Sequence, residues 1–439
     1  MTRSLGNAGA GRDAGAGASS APGSALPGLP LMIPVTQHFP DVKVDDVEAA
    51  MWSALDSLCL AAKVRPGMRV AITAGSRGIA NIPVILRTTA RYLKALGAVP
   101  VMVAAMGSHG GGTAEGQLEV LASLGITPDT VECEVVGGVE VVELGRTAGG
   151  LAVYFDTFAA RCDGVLVINR VKAHTSFHGP LESGLVKMMV VGLGKPAGAA
   201  QFHRLGPGRL SHALEEIGRV ILEKMPILGG VAVLENGREE TAALVPVEPG
   251  DMIEREKELL IRSKELLPRL PVKELDLLIV EEMGKNISGT GMDTNIIGRV
   301  GILGVPDGDP AIQRIAVLDL SEQSHGNANG MGLADFITRR FRERIDFRAT
   351  YLNTLTATFV QRAKMPIVLD TDREVIATAL QTLGNPPPDR VKAIRIRNTL
   401  MLEHIWVSPA VWEEIKALPY VEATGPARPL AFDEAGNLL

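Results

Sequence analysis

Aromatic residues are scarce, at 4% of the 439 residues. Cysteines number three, Cys59, Cys133 and Cys162, and none pairs in a C-x-x-C. An odd, scattered set suggests neither a disulfide framework nor a thiolate zinc site; it reads as small apolar residues in a reducing compartment. A basic excess is missing too: 44 Lys and Arg stand against 50 Asp and Glu, for a net charge of −6, with no block of like charge. Nucleic-acid binding, which needs a basic footprint, is therefore not expected. No apolar run reaches the roughly 18 residues of a membrane helix, and the first residues lack the apolar core of a secretory signal. The expectation is a cytoplasmic protein with no membrane partner. No internal repeat shows at solenoid periods. A G-x-G-x-x-G is absent from the first strand–helix turn, which disfavours a nicotinamide dehydrogenase.

What is present is a large apolar share, 46%, with 48 glycines. Residues 1–30, almost all Gly, Ala, Ser and Pro, have little to bury and are expected to be a disordered tail. From residue 41 the pattern alternates. A helix at 45–64, a buried strand at 69–75, a helix at 82–97 with Pro83 in its first turn, a strand at 99–107 and a helix from Thr113 to Gly125 form a βαβα run. That run calls for a parallel sheet covered by helices. A strand at 164–169, a helix ending near Met225, a strand at 230–236 and a charged helix at 252–270 follow. A second alternating pattern starts after Pro271: strands at 275–282 and 314–320, a helix near 332–344, a strand at 366–370, a helix at 371–384 and a strand at 391–396. The fold class is α/β, with two parallel-rich domains, 31–270 and 271–400, and the active site in the cleft between them. Segment 401–439 could return to the first domain.

In open parallel sheets, ligands bind beyond the carboxyl ends of the strands. Three such ends carry Gly75-Ser76-Arg77-Gly78, Gly107-Ser108-His109-Gly110-Gly111-Gly112-Thr113, and Asn169-Arg170-Val171-Lys172-Ala173-His174-Thr175-Ser176-Phe177-His178-Gly179. Each residue has a plain alternative. Arg77 could cap a helix, His109 could be a solvated turn residue, and Gly-Ser-His-Gly-Gly-Gly-Thr could be a phosphate nest. Convergence favours chemistry, since the chain has eight histidines and three fall in these loops. His174 and His178, with His203, could bind zinc through three nitrogens, although Gly179-Pro180 disfavours the helix that would align the first two. Lys187, inside an apolar run, is either a snorkelling lysine or a desolvated, nucleophilic amine.

Over residues 31 to 430 the chain resembles the nickel-dependent lactate racemase family, whose cofactor is a nickel-pincer nucleotide. The most specific match is Ser183-Gly184-x-x-Lys187 with His203 further on. The resemblance implies that Ser183 and Gly184 lie at the cofactor, that Lys187 tethers it through a thioamide, and that His203 ligates nickel. It also implies that His109, in Gly-x-His-x-x-x-Thr, and His174, after Asn169-Arg170-Val171-Lys172, are an acid/base pair, and that Arg77 contacts a substrate carboxylate. The sequence departs from the family at Ala74, where an acidic residue is usual, and at Gly184-Leu185-Val186, where Gly-Gly-Arg is usual. Lys285 is the candidate for the second-domain lysine on the carboxylate.

The implied activity is a racemase or epimerase inverting carbon 2 of a 2-hydroxy acid by proton-coupled hydride transfer. Its implied partners are cofactor-building and nickel-insertion proteins. Polar loops at 286–291 and 321–330 would offer hydrogen bonds to a hydroxylated acid, which favours an aldonate 2-epimerase; a malate-like diacid would want a second cation, for which Arg299 is a candidate. Competing readings are a zinc-dependent hydrolase or lyase on the same histidines and a non-catalytic cofactor-binding relative.

Overall fold

The computed structural model describes residues 28–439; the expectation for the tail up to residue 27 falls outside these. The described residues build a small antiparallel pair, Val141–Arg146 with Ala152–Asp156, and two large sheets flanked by helices. The first large sheet has six strands in the order Glu134–Val136, Val99–Ala104, Arg69–Ala74, Gly164–Arg170, Ile227–Glu235, Thr241–Val247. All junctions are parallel except the last. Its inner strands are apolar on both faces because helices cover both. Val70, Ile72 and Ala74 point into one core, with Ile85, Leu86 and Leu93 of the helix Ile82–Ala95. Ala71, Val165 and Val167 point into the opposite core, with Leu214 and Ile221 of Pro207–Lys224 and Leu259 of Met252–Leu266.

The second sheet has eight strands in the order Ile367–Leu369, Phe336–Thr338, Ala311–Leu320, Glu274–Met283, Ala393–Ile396, His404–Val407, Ile33–Gln37, Val421–Ala423. The five strands from Ile367–Leu369 to Ala393–Ile396 run parallel, and the remaining junctions are antiparallel. The architecture is thus α/β with two parallel-rich sheets.

Three expectations are corrected. Strands from 401–439 join the second sheet and do not return to the first. Ile33–Gln37 also crosses to the second sheet, held between His404–Val407 and Val421–Ala423. The helix expected near 332–344 is a short strand, Phe336–Thr338, followed by the helix Arg339–Glu343, because β-type Phe336-Ile337-Thr338 completes the parallel ladder before Thr338 caps the helix.

Candidate functional site

The carboxyl ends of three adjacent strands of the first sheet open toward the second. After Arg69–Ala74, Arg77 stands exposed and makes no hydrogen bond among the described residues, so it is not a helix cap. After Val99–Ala104 comes His109, followed by Gly110, Gly111 and Gly112, all left-handed with φ of 64°, 67° and 69°. A run of three residues in that region is open to glycine and costly for anything else. The turn returns the chain to Thr113, whose side chain accepts from Gly116 N–H at 3.1 Å and caps the next helix. The ring of His109 is fixed by a short hydrogen bond between its Nδ1 and the Ser76 hydroxyl.

The loop after Gly164–Arg170 is organised by Glu182, which is fully buried. Its carboxylate accepts from His174 N–H at 2.6 Å, from Lys264 Nζ at 2.6 Å and from Gly179 N–H at 3.3 Å, and meets His178 Nδ1 at 3.3 Å. Burial would raise its proton affinity, but bonds from His178, Lys264 and the His174 backbone keep Glu182 below the usual carboxyl range. The His174 ring packs on Phe177, centroids 4.3 Å apart, and its Nδ1 accepts from Ser176 N–H at 3.0 Å.

Lys187 ends a single helical turn, Leu185–Lys187, that runs into a π-helical turn, Met188–Gly192. π-turns are uncommon and recur at functional sites. The turn is capped from below by buried Glu256, which accepts from Val186 N–H at 2.8 Å. Burial raises the Glu256 carboxyl to about 7 against the pull of the Val186 and Leu185 N–H groups. The Lys187 amine is half-buried, has no hydrogen-bond or ion-pair partner among the described residues, and lies 5.9 Å from the Phe177 ring centroid. His203 closes the helix Lys195–His203, its ring 5.7 Å from that of Phe202. Its Nδ1 is buried without a hydrogen-bond partner among the described residues. The Ser183 backbone bridges Lys172, and Gly184 lies against Glu256.

The second sheet delivers Lys285 to the same place. Its Nζ donates to Asn353 Oδ1 at 2.8 Å and, at short range, to Gly289 O. On its other side Gly289 abuts Arg77: a Cβ there would lie 3.3 Å from the guanidinium. Arg362, buried, reaches across to Ser176 Oγ and Thr175 O, each at 2.7 Å. Arg299 is not in the cleft group; it is spent on Asp335 at 2.9 Å and on the carbonyls of Leu333 and Ile312. The polar loops expected to face a substrate bond largely with each other: Ser321 donates to Asn286 Oδ1 at 2.6 Å, Thr354 to Asn329 Oδ1 at 2.8 Å, and Thr290 to Met292 O at 2.6 Å.

These groups share one electrostatic field. Desolvation first, then Arg77, Lys285, Lys187 and His203, push His109 down to about 3. Desolvation, then Lys187, His203 and Arg362, hold His174 well below the usual range. Desolvation and Lys187 bring His203 to about 4. Burial and Arg77 bring the Lys187 and Lys285 amines to about 7. The imidazoles are therefore neutral at working pH, and the cations crowd each other. Such a cluster in a chain of negative net charge suits a small anion, a carboxylate above all.

Among the described residues no three His, Cys, Asp or Glu side chains converge to hold a metal, so the trio His174, His178 and His203 does not form. The residues do fit a cofactor that brings its own metal donors. Such a group needs one imidazole and one amine from the protein, and here they are a buried unpartnered His203 nitrogen and the unpartnered Lys187 amine, each within the other's electrostatic reach. Sequence reasoning missed Ser76, Ser176, Glu182, Glu256 and Arg362. Ser176 lies two residues from His174, and Glu182 lies four from His178 and eight from His174, so both are within local reach of the histidine loop; Ser76, Glu256 and Arg362 meet their partners across 33, 70 and 186 residues and leave no local signal.

No protein-family model matches the chain, and no curated protein matches it. Among solved structures it is similar to the lactate racemase apoprotein from Thermoanaerobacterium thermosaccharolyticum, with a TM-score of 0.43 and 12% identity over 65% of this chain and 74% of that one.

Proposed function

We propose that this chain is an isomerase that inverts carbon 2 of a 2-hydroxy acid, using a nickel-pincer nucleotide held by Lys187 and His203. The observation that carries the reading is the meeting of Arg77, His109, Lys187 and His203 from the first sheet with Lys285 from the second, in one field and with few of their polar ends spent on protein. The motif Ser183-Gly184-x-x-Lys187 with His203, which resembles that family's, supports it further. When bound, the cofactor supplies a hydride acceptor, which avoids forming a carbanion beside a carboxylate.

The protein's own residues do the rest. Arg77 and Lys285 hold the carboxylate from opposite sides of Gly289, so that the reacting carbon stays in register. His109, neutral with a lone pair to offer, takes the hydroxyl proton and returns it. His174 stands as the second imidazole. Phe177 and Phe202 keep the floor apolar around Lys187 and His203. The internal bonding of the second-domain loops leaves an aldonate fewer groups than the sequence suggests, so a substrate screen pairs aldonates with lactate and malate.

The test is the intact mass of the protein made with and without co-expressed cofactor-building proteins and nickel. The expected result is a mass gain mapped to Lys187 with nickel bound, and deuterium at carbon 2 largely retained in the inverted product. No adduct, with stoichiometric zinc found instead, would overturn the reading in favour of hydrolase or lyase chemistry.

A further inference from the structure

The helix Phe347–Ala357 is inverted: its polar side faces the protein and its apolar side faces outward. Thr350 and Thr354 are buried, with Ala328 N–H donating to Thr350 Oγ1 at 3.0 Å and Thr354 donating to Asn329 Oδ1 at 2.8 Å. Asn353 Oδ1, on the same side, accepts from Lys285 Nζ at 2.8 Å. Away from them Phe347, Tyr351, Leu352 and Leu355 are exposed. A surface helix normally turns its charged side to water, yet residues 349–361 carry no charged side chain.

The patch extends beyond the helix. The turn Val360–Ala363 packs beside it, and Val360, Met365 and Ile367 are exposed in turn. Ile367 opens the outermost strand of the second sheet, Ile367–Leu369, whose outer edge is unpaired among the described residues. Between Phe347 and Ile367, seven large apolar side chains are thus 36% to 68% exposed. At those exposures they present roughly 600 Å² of apolar surface, against about 800 Å² a side, apolar and polar together, in a stable protein interface. Single exposed apolar residues are ordinary; a charge-free patch of this size is a contact surface.

We propose that this face is covered by a second copy of the chain in a two-fold dimer. Phe347, Tyr351 and Leu355 repeat every four residues, so they line one side of the helix. A two-fold axis at Tyr351 sets two such helices antiparallel, with Phe347 of one copy against Leu355 of the other and the two Tyr351 rings adjacent. A face that is its own complement is what an isologous dimer requires. The segment ahead of Gly28 cannot serve as the cover, since Met1, Leu5 and Leu26 are its only large apolar side chains. The cover must also be permanent, because an apolar face left bare promotes aggregation; a second copy is present wherever the chain is. The bonds of Thr350, Asn353 and Thr354 fix the helix from beneath, so each copy offers the face already formed.

The test is sedimentation velocity of the full chain at micromolar concentration. The expected result is a species with the mass of two chains. It should convert to a single chain in Leu352→Glu/Leu355→Glu, with far-UV dichroism and a cooperative melt showing that the variant is folded. Should that variant not fold, Tyr351→Cys decides. Mild oxidation should then link two copies through position 351, mapped by peptide mass spectrometry and distinguished from links at exposed Cys59. A single chain as the only species of the unaltered protein overturns the proposal, whether the patch is bare or covered by another molecule. A dimer that survives the double substitution, or one that forms no link at position 351, overturns this face as its interface. None of these outcomes depends on the isomerase reading.

Discussion

The Cβ that Gly184 lacks would sit 2.3 Å from the carboxyl carbon of Glu256. No side chain fits between the loop before Lys187 and the carboxyl that caps its helical turn. Gly184→Ala must displace either Glu256 or the turn, and Lys187 moves with it. The expected outcome is a folded but weakened protein, by about 1–3 kcal/mol for a forced backbone shift in a tight core, and, on the proposed function, a lost or reduced cofactor adduct at Lys187. Chemical denaturation and peptide mapping would check both.

Glu256 also sets a pH dependence of stability. Its carboxyl is raised to about 7 by burial, above the unfolded value near 4.3. The folded state therefore binds more protons than the unfolded state between those values, and stability falls as pH rises from about 4.5 to 7. Glu256→Gln removes that titration, so its denaturation midpoint should change less over the window than that of the unaltered chain. The differential is on the order of 4 kcal/mol at most. Equal slopes for the two proteins would mean that Glu256 is ionised without cost.

The amine of Lys187 is brought to about 7 by burial and by Arg77. An exposed lysine with a value near 10.4 is about one part in 2,500 neutral at pH 7. Limited acetylation at that pH should therefore modify Lys187 ahead of exposed Lys43 and Lys224, with a rate that levels off above pH 8. Removing the repulsion in Arg77→Ala should raise the amine's proton affinity and slow its labelling at pH 7. Peptide mass spectrometry reads both; labelling of Lys187 no faster than Lys43 would show an ordinary amine.

Much of this cleft is legible in the sequence, for a physical reason. Parallel strands end in loops on one edge, so short apolar runs closed by Gly75, Gly107 and the polar Asn169-Arg170 locate Arg77, His109 and His174 without knowledge of distances. The braces are not legible. Glu182 reaches Lys264, Glu256 reaches Val186 and Arg362 reaches Ser176 only once the helices and both sheets are packed. Nor does a local pattern show that Ile33–Gln37 pairs with His404–Val407. The same limit explains the polar loops of the second sheet: composition shows hydroxyls and amides, but only the fold shows that Ser321 and Asn286, or Thr354 and Asn329, satisfy each other.

Lys285 is brought to about 7 by burial, then by Arg77 and Arg362. A bound carboxylate favours the ammonium form, so the free amine loses its grip as pH rises through about 7. On the proposed function, the KM for a 2-hydroxy acid should therefore be lowest below neutrality and climb above it, up to about tenfold per pH unit before the bound-state value is reached. Lys285→Met should raise KM by roughly 10–100-fold through loss of a charge-assisted bond and flatten this limb. A steep limb that persists in the variant would assign the titration to another group.

The three glycines after His109 are not equivalent. A Cβ on Gly111 meets nothing within 4 Å, whereas one on Gly110 would lie 2.4 Å from the Gly116 carbonyl carbon. Gly111→Ala therefore costs only the left-handed conformation, about 1–2 kcal/mol, and Gly111→Asn less, since asparagine tolerates that region. Gly110→Ala adds a backbone collision that only movement of the His109 turn relieves. Stability should thus rank Gly111→Asn, Gly111→Ala, Gly110→Ala in decreasing order. Activity should fall sharply only in Gly110→Ala, where the His109 ring leaves Ser76. Loss of activity in Gly111→Asn with stability intact would mean that this turn moves during turnover and needs a glycine for motion as well as for shape.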